Sequence, residues 1–153
     1  MTRAVSIIAA VAIAAGALVS LPSSVSAQSD PIAARKEIFQ SFLRNVRAIN
    51  GVLQANGDVR PLAATAQEMS AAADRLAPLF PAGTGQGQTS ATTRALPEIW
   101  TNLPAFQERA VALKTALATF GTAAATGDAA QTRTAFQGID AACSACHTRF
   151  RAR

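Results

Sequence analysis

The sequence predicts an all-α protein, an antiparallel up-down four-helix bundle. Three observations predict it. Alanine, the strongest helix former, is very common. Apolar residues recur three and four positions apart in four separate stretches. No stretch shows the apolar-polar alternation of a half-buried strand. Helices of about 20 residues, mostly joined by short links, bury their apolar stripes against one another in such a bundle.

The first stretch runs from about Ile32 to Val52, with Ile38, Phe42, Val46, Ile49 and Leu53 on one face. Asn50-Gly51 and Asn56-Gly57 are expected to break it. The second starts after Asp58, the expected N-cap, with Pro61 tolerated in the first turn. Leu62, Met69, Ala73 and Leu76 form its apolar line, and Pro78 and Pro81 end it. Residues 82–101 are a connection rich in Gly, Thr and Ser that closes with Pro97-Glu98-Ile99-Trp100. A connection this long in a small domain is usually functional or disordered, and Ile99 and Trp100 imply that its end packs on something apolar. The third helix opens near Asn102-Leu103-Pro104 and carries Phe106, Ala110, Leu113, Leu117 and Phe120 on one face. Gly127-Asp128 separates it from the fourth, where Asp128 and Gln131 have the spacing of a capping box. Phe136, Ile139, Cys143, Cys146, His147 and Phe150 then lie along the inner side of the last helix.

That last helix carries the chemistry. Cys143-Ser144-Ala145-Cys146-His147 holds both cysteines and the only histidine of the chain. C-x-x-C-H is the pattern of a c-type haem attachment site. Two thiols three residues apart can add to the two vinyl groups of one haem, and the next residue can supply an axial nitrogen. On a helix, residues three and four apart share a face, so all three side chains can point at one flat ligand. Other readings of C-x-x-C fit less well. A structural zinc site needs four ligands, and the cluster offers three. A thioredoxin-like pair belongs near a βαβ pattern. A disulfide between Cys143 and Cys146 would strain the helix. A haem between helices would also add apolar surface that alanine-rich helices lack.

The N-terminus sets the expected compartment. Arg3 is followed by an apolar run from Ala4 to Leu21 and by the small residues Val25-Ser26-Ala27. This is a secretory signal pattern, cleaved after about Ala27. A membrane anchor is the alternative, because the run is about long enough to span a bilayer. The well-formed cleavage site and the modest hydropathy of Ala and Gly favour the signal. Residues 1–27 are thus the expected signal peptide and 28–153 a single bundle domain in the periplasm, with no membrane insertion of the mature chain. Removing 27 of 153 residues leaves 126, and removing Arg3 leaves 13 basic against 9 acidic residues, a charge of +4. The basic residues are scattered, and Trp100 is the lone residue of its type in a chain without tyrosine. Nucleic acid binding would call for a basic stripe or patch, so it is not expected.

The mature chain from about Asp30 to Arg153 resembles the cytochrome c prime family of class II c-type cytochromes. The resemblance rests on C-x-x-C-H near the C-terminus followed by Phe150-Arg151, on Pro97-Glu98-Ile99-Trp100 about 46 residues upstream of Cys143, and on Arg35 near the start of the first helix. It implies one haem c per chain, with thioethers from Cys143 and Cys146 and axial ligation by His147. It places Arg35 on the propionate side, a charge-assisted pairing, beside Lys36, where the family often has glutamine. It puts Phe39, one turn after Arg35, over the opposite face of the iron, and Arg151 on the proximal side beside His147. The segment Arg94 to Glu98 would cover one haem edge. Trp100 reads as a core or dimer contact, and a homodimer through the first two helices is implied.

Phenylalanine cannot coordinate iron. The resemblance therefore implies a five-coordinate, high-spin haem that admits small uncharged gases such as nitric oxide and carbon monoxide. Some low-spin relatives carry methionine at the place of Phe39. The one methionine of the mature chain is Met69, in register with an apolar line and read as core filler. The alternative function is a one-electron carrier in a periplasmic redox chain, low-spin if Met69 is a ligand, with Arg149, Arg151 and Arg153 in a docking patch for its partner. An enzyme is not expected, because the open side as read has no histidine or paired carboxylates for acid-base work.

Overall fold

A computed structural model describes residues 30–153. The expected signal peptide and its cleavage site lie outside the described residues. Four long helices form the bundle: α1 (Pro31–Gln54), α2 (Leu62–Asp74), α4 (Leu103–Thr126) and α5 (Ala129–Phe150). A short helix, α3 (Glu98–Thr101), and a 3-10 turn (Ala77–Leu79) punctuate the long connection between α2 and α4.

The helix ends follow local chemistry, with two departures from expectation. Asp30 caps α1 by accepting the Ile32 N–H at 2.9 Å, and Pro31 takes the first position, where its missing N–H costs nothing. Asn50-Gly51 does not end α1. The helix runs through both residues to Gln54 because Ile49 and Leu53 are buried on either side of them. That packing outweighs the roughly 1 kcal/mol cost of a helical glycine. The break comes instead at Asn56, which takes a left-handed φ of 50°. This is a conformation asparagine tolerates better than most residues.

Asp58 does not cap α2. Its Oδ1 accepts the Arg60 N–H at 3.0 Å in a local turn, and α2 begins after Pro61 with no side-chain cap. The expected cap lies one turn too early, and backbone bonds from Leu62 to Val59 and from Ala63 to Arg60 fill the gap. Asp128 does cap α5, accepting from the N–H groups of Ala130 and Gln131 at 2.9 Å. The Gln131 amide donates back to the Asp128 carboxylate rather than remaining free.

The main core lies between α2, α4 and α5. Leu117, Phe120, Ala124 and Ile139 are fully buried, and Met69 is 1% exposed among them. Gly121 lets α4 press on α2: a Cβ there would stand 3.2 Å from the Ala66 Cβ. α4 packs closely against both α2 and α5, whereas α1 rests on α2 and the 3-10 turn and makes little backbone contact with α5. A second, smaller cluster of Ala95, Ile99, Phe106 and Phe150, with Phe80, Trp100 and Cys146 against it, caps the α5 C-terminal end.

Candidate haem site

Cys143, Cys146 and His147 share one side of the last two turns of α5. The thiols are free and half-buried, and they face different neighbours. Cys143 packs against the main core, and Cys146 against the smaller cluster formed by the long connection. Sequence periodicity places all three on a buried stripe. The stripe is indeed buried at Phe136, Ile139 and Phe150, but it opens at the motif, where His147 is exposed.

Burial pushes the Cys143 thiol up, assisted by Asp140. Burial and the neighbouring Cys143 raise Cys146 to about 11, against a smaller opposing pull from Arg109. Both groups are therefore neutral thiols at pH 7. Although His147 is exposed as a residue, burial of part of its ring and then the Arg94 guanidinium hold its pKa below the ordinary value. Its imidazole is therefore biased to the neutral form, the one with a lone pair for a metal.

Across from His147 stands Phe39 of α1. The two ring centroids are 6.3 Å apart at an interplanar angle of 67°. Phe39 is 38% exposed, and Leu43, one turn further along α1, is 50% exposed. Further along the same two helices, Val46, Arg47 and Asn50 of α1 and Phe136 and Asp140 of α5 line a groove. The α1–α5 seam thus has exposed apolar side chains at Phe39 and Leu43, a mixed polar and apolar groove beyond them, and two thiols and an imidazole on its α5 side. That donor set and that uncovered surface fit a flat apolar macrocycle carrying a metal.

The remaining predicted residues fall around the seam. Arg35 is buried at 3% exposure, and its guanidinium is turned to the long connection, with its centre 4.5 Å from the Phe80 ring centroid. The Lys36 Nζ donates to the Thr92 carbonyl at 3.1 Å. Arg151 is exposed in extended backbone just past α5, and its N–H donates to the His147 carbonyl at 3.2 Å. Trp100 is a packing residue whose Nε1–H donates to the Phe80 carbonyl at 3.0 Å. The connection does reach the site: Ala95 bridges to Arg151, and Glu98 pairs with Arg149 at 2.8 Å.

Sequence reasoning did not place Arg94 beside His147, Arg109 near Cys146, or Thr84 and Thr93 against Arg35. Arg94, Thr84 and Thr93 arrive from the long connection and Arg109 from α4, each outside the helix it meets. The threonine-rich composition of the connection was the only available signal.

The description cytochrome c' matches residues 30–151. The chain belongs to the cytochrome c' family. Its cofactor is accordingly haem c, covalently attached. Solved cytochromes c' are similar to it. The protein from Thermochromatium tepidum is 31% identical, with a TM-score of 0.74 over 80% of this chain and 95% of that one. The protein from Rubrivivax gelatinosus is 25% identical, with a TM-score of 0.70 and the same coverage. A nitric oxide complex of a cytochrome c prime variant from Alcaligenes xylosoxidans is 23% identical, with a TM-score of 0.70 over 81% of this chain and 95% of that one; this likeness concerns the fold. A comparison with curated proteins finds no match. No helix among the described residues is long and apolar enough to cross a membrane.

Proposed function

We propose that this cytochrome c' binds small uncharged gases, nitric oxide and carbon monoxide, at an iron whose only protein ligand is His147. Haem c supplies a redox-active iron with one exchangeable position. Cys143 and Cys146 tether it through thioethers, one against each of the two apolar clusters. His147 gives its neutral nitrogen from α5. Phe39 provides the opposite wall, excludes water and offers no ligating atom. The facing pair Phe39 and His147, 6.3 Å apart, carries this reading. Nitric oxide binding by the Alcaligenes xylosoxidans variant is a property of that protein and agrees with the same use of the fold.

Met69 supports the same reading from the other side. At 1% exposure it is packed among aliphatic residues of the main core, while the ring opposite His147 belongs to Phe39. A low-spin electron carrier with methionine ligation therefore has no observation in its favour. A role in acid-base catalysis has none either, since Phe39 and Leu43 bring no proton donor to the open side. Residues 1–27 act as an export signal in this reading and the mature protein works in the periplasm, where a second copy packs against α1 and α2. Visible absorption of the purified holoprotein, with and without nitric oxide or carbon monoxide, tests the assignment. A high-spin spectrum that shifts with each gas is expected. A low-spin spectrum unchanged by either gas would falsify it.

A further inference from the structure

The connection from Phe80 to Pro97 is a strap between the two walls of the site. At one end it is held by Arg35. The Arg35 Nη1 donates to the Leu79 carbonyl at 3.0 Å and to Thr84 Oγ1 at 2.9 Å. Its Nη2 donates to the Thr84 carbonyl at 2.6 Å and to Thr93 Oγ1 at 2.8 Å. All four terminal N–H groups are thus used, and only Nε–H is left for any other acceptor. No carboxylate lies within ion-pairing distance of this buried cation among the described residues.

At its other end the strap is stitched to α5. The Leu96 N–H donates to the Phe150 carbonyl at 3.0 Å, and the Ala152 N–H to the Arg94 carbonyl at 2.8 Å. Phe39 stands one helical turn beyond Arg35, and His147 one turn before Phe150 and Arg151. A continuous chain of bonds therefore runs from the Phe39 wall to the His147 wall, where α1 and α5 make little direct contact.

We propose that Arg35 is a positioning residue: it clamps the strap to α1 and thereby sets the spacing between Phe39 and His147, and so acts on gas entry. This rests on the reading of Phe39 as the ligand-side wall.

Three holoprotein variants test the clamp: Arg35→Gln, Thr84→Val with Thr93→Val, and all three changes together. Two quantities are read in each: hydrogen exchange at the Gln86 and Leu96 amides, whose bonds to the Ala95 and Phe150 carbonyls lock the strap, and the association rate of carbon monoxide with the ferrous protein. Loss of charge-assisted bonds should speed exchange at least about tenfold in Arg35→Gln and less in the threonine pair. The carbon monoxide rate should change in the same order, and the triple variant should go no further than Arg35→Gln.

Arg133→Gln, on α5 where the guanidinium donates to the Leu53 carbonyl at the far end of α1, serves as the control and should leave strap exchange at its wild-type value. Full additivity of the arginine and threonine changes would overturn the proposal, because Arg35 would then act on something other than the strap. So would a threonine pair with wild-type exchange. The two readings fail separately: a carbon monoxide rate unmoved by Phe39→Ala removes Phe39 as the wall, whereas the exchange data judge the clamp alone.

Discussion

The two sides of α5 meet the rest of the molecule in opposite ways. Toward α4 and α2 the helix is sealed: Ile139 is fully buried with Leu117 and Phe120, and Gly121 brings α4 close to Ala66. Toward α1 it is open: His147 is exposed, and Phe39 and Leu43 leave apolar surface uncovered. Both sides are built from alanine-rich helices. The sealed side closes because small residues let backbones approach and a few large side chains fill what is left. The open side leaves the apolar surface of Phe39 and Leu43 beside two thiols and an imidazole, a surface that a flat apolar group can cover.

The largest expected effect comes from removing that group's tether. In a Cys143→Ala, Cys146→Ala double variant, haem should no longer stay with the denatured chain, as read by intact mass, and the open seam should lose most of its stability while α2–α4 packing persists. If haem remained attached, the thioether assignment would be wrong.

On the sealed side, Phe120→Ala should cost about 3–5 kcal/mol in denaturant unfolding of the holoprotein, the range for a buried phenylalanine. A loss below about 1 kcal/mol would mean that this side is less tightly packed than its zero exposure indicates. On the open side, Phe39→Ala should cost far less stability but raise the association rate of carbon monoxide. The contrast between these two phenylalanines is the sharpest test of the difference between the two seams.

Gly85→Ala reaches the strap between them. A Cβ there would stand 2.6 Å from the Trp100 ring, so a destabilisation of about 1–3 kcal/mol is expected, with faster exchange at Gln86.

The smallest effect is at Asp128. The backbone N–H of Gln131 above all, with that of Ala130 and the Gln131 side chain, holds its carboxyl below the usual range against an opposing desolvation. A folded pKa below the unfolded one means that the cap stabilises above the unfolded value and that this contribution is lost as pH falls through the folded one. Asp128→Ala should therefore be less stable than wild type at neutral pH, and melting curves should converge in acid. A difference that persisted unchanged at low pH would mean that the charge is not what stabilises the helix.

Much of this was legible along the chain. The stripe Ile38, Phe42, Ile49 and Leu53 predicted α1, and Leu117 and Phe120 predicted the core of α4, because a helix repeats its buried face every three or four residues. The Asp128–Gln131 spacing located the start of α5 for an equally local reason. The start of α2 was misread at Asp58 because a carboxylate can satisfy its own turn as readily as a helix end. The Asn50-Gly51 break was misread because burial of Ile49 and Leu53 overrides a local preference.

For the site, C-x-x-C-H determined the chemistry by itself: two thiols and an imidazole on adjacent turns are a local property of one helix. The sequence alone also settled that this chemistry sits on the last helix of a four-helix pattern. What stands opposite was a matter of tertiary structure. Only the packed chain brings Phe39 to 6.3 Å from His147, lets the Arg94 charge act on that imidazole, and turns Arg35 into the strap through Thr84 and Thr93. These partners are separated by tens of residues, and no periodicity within one helix encodes the distance between two.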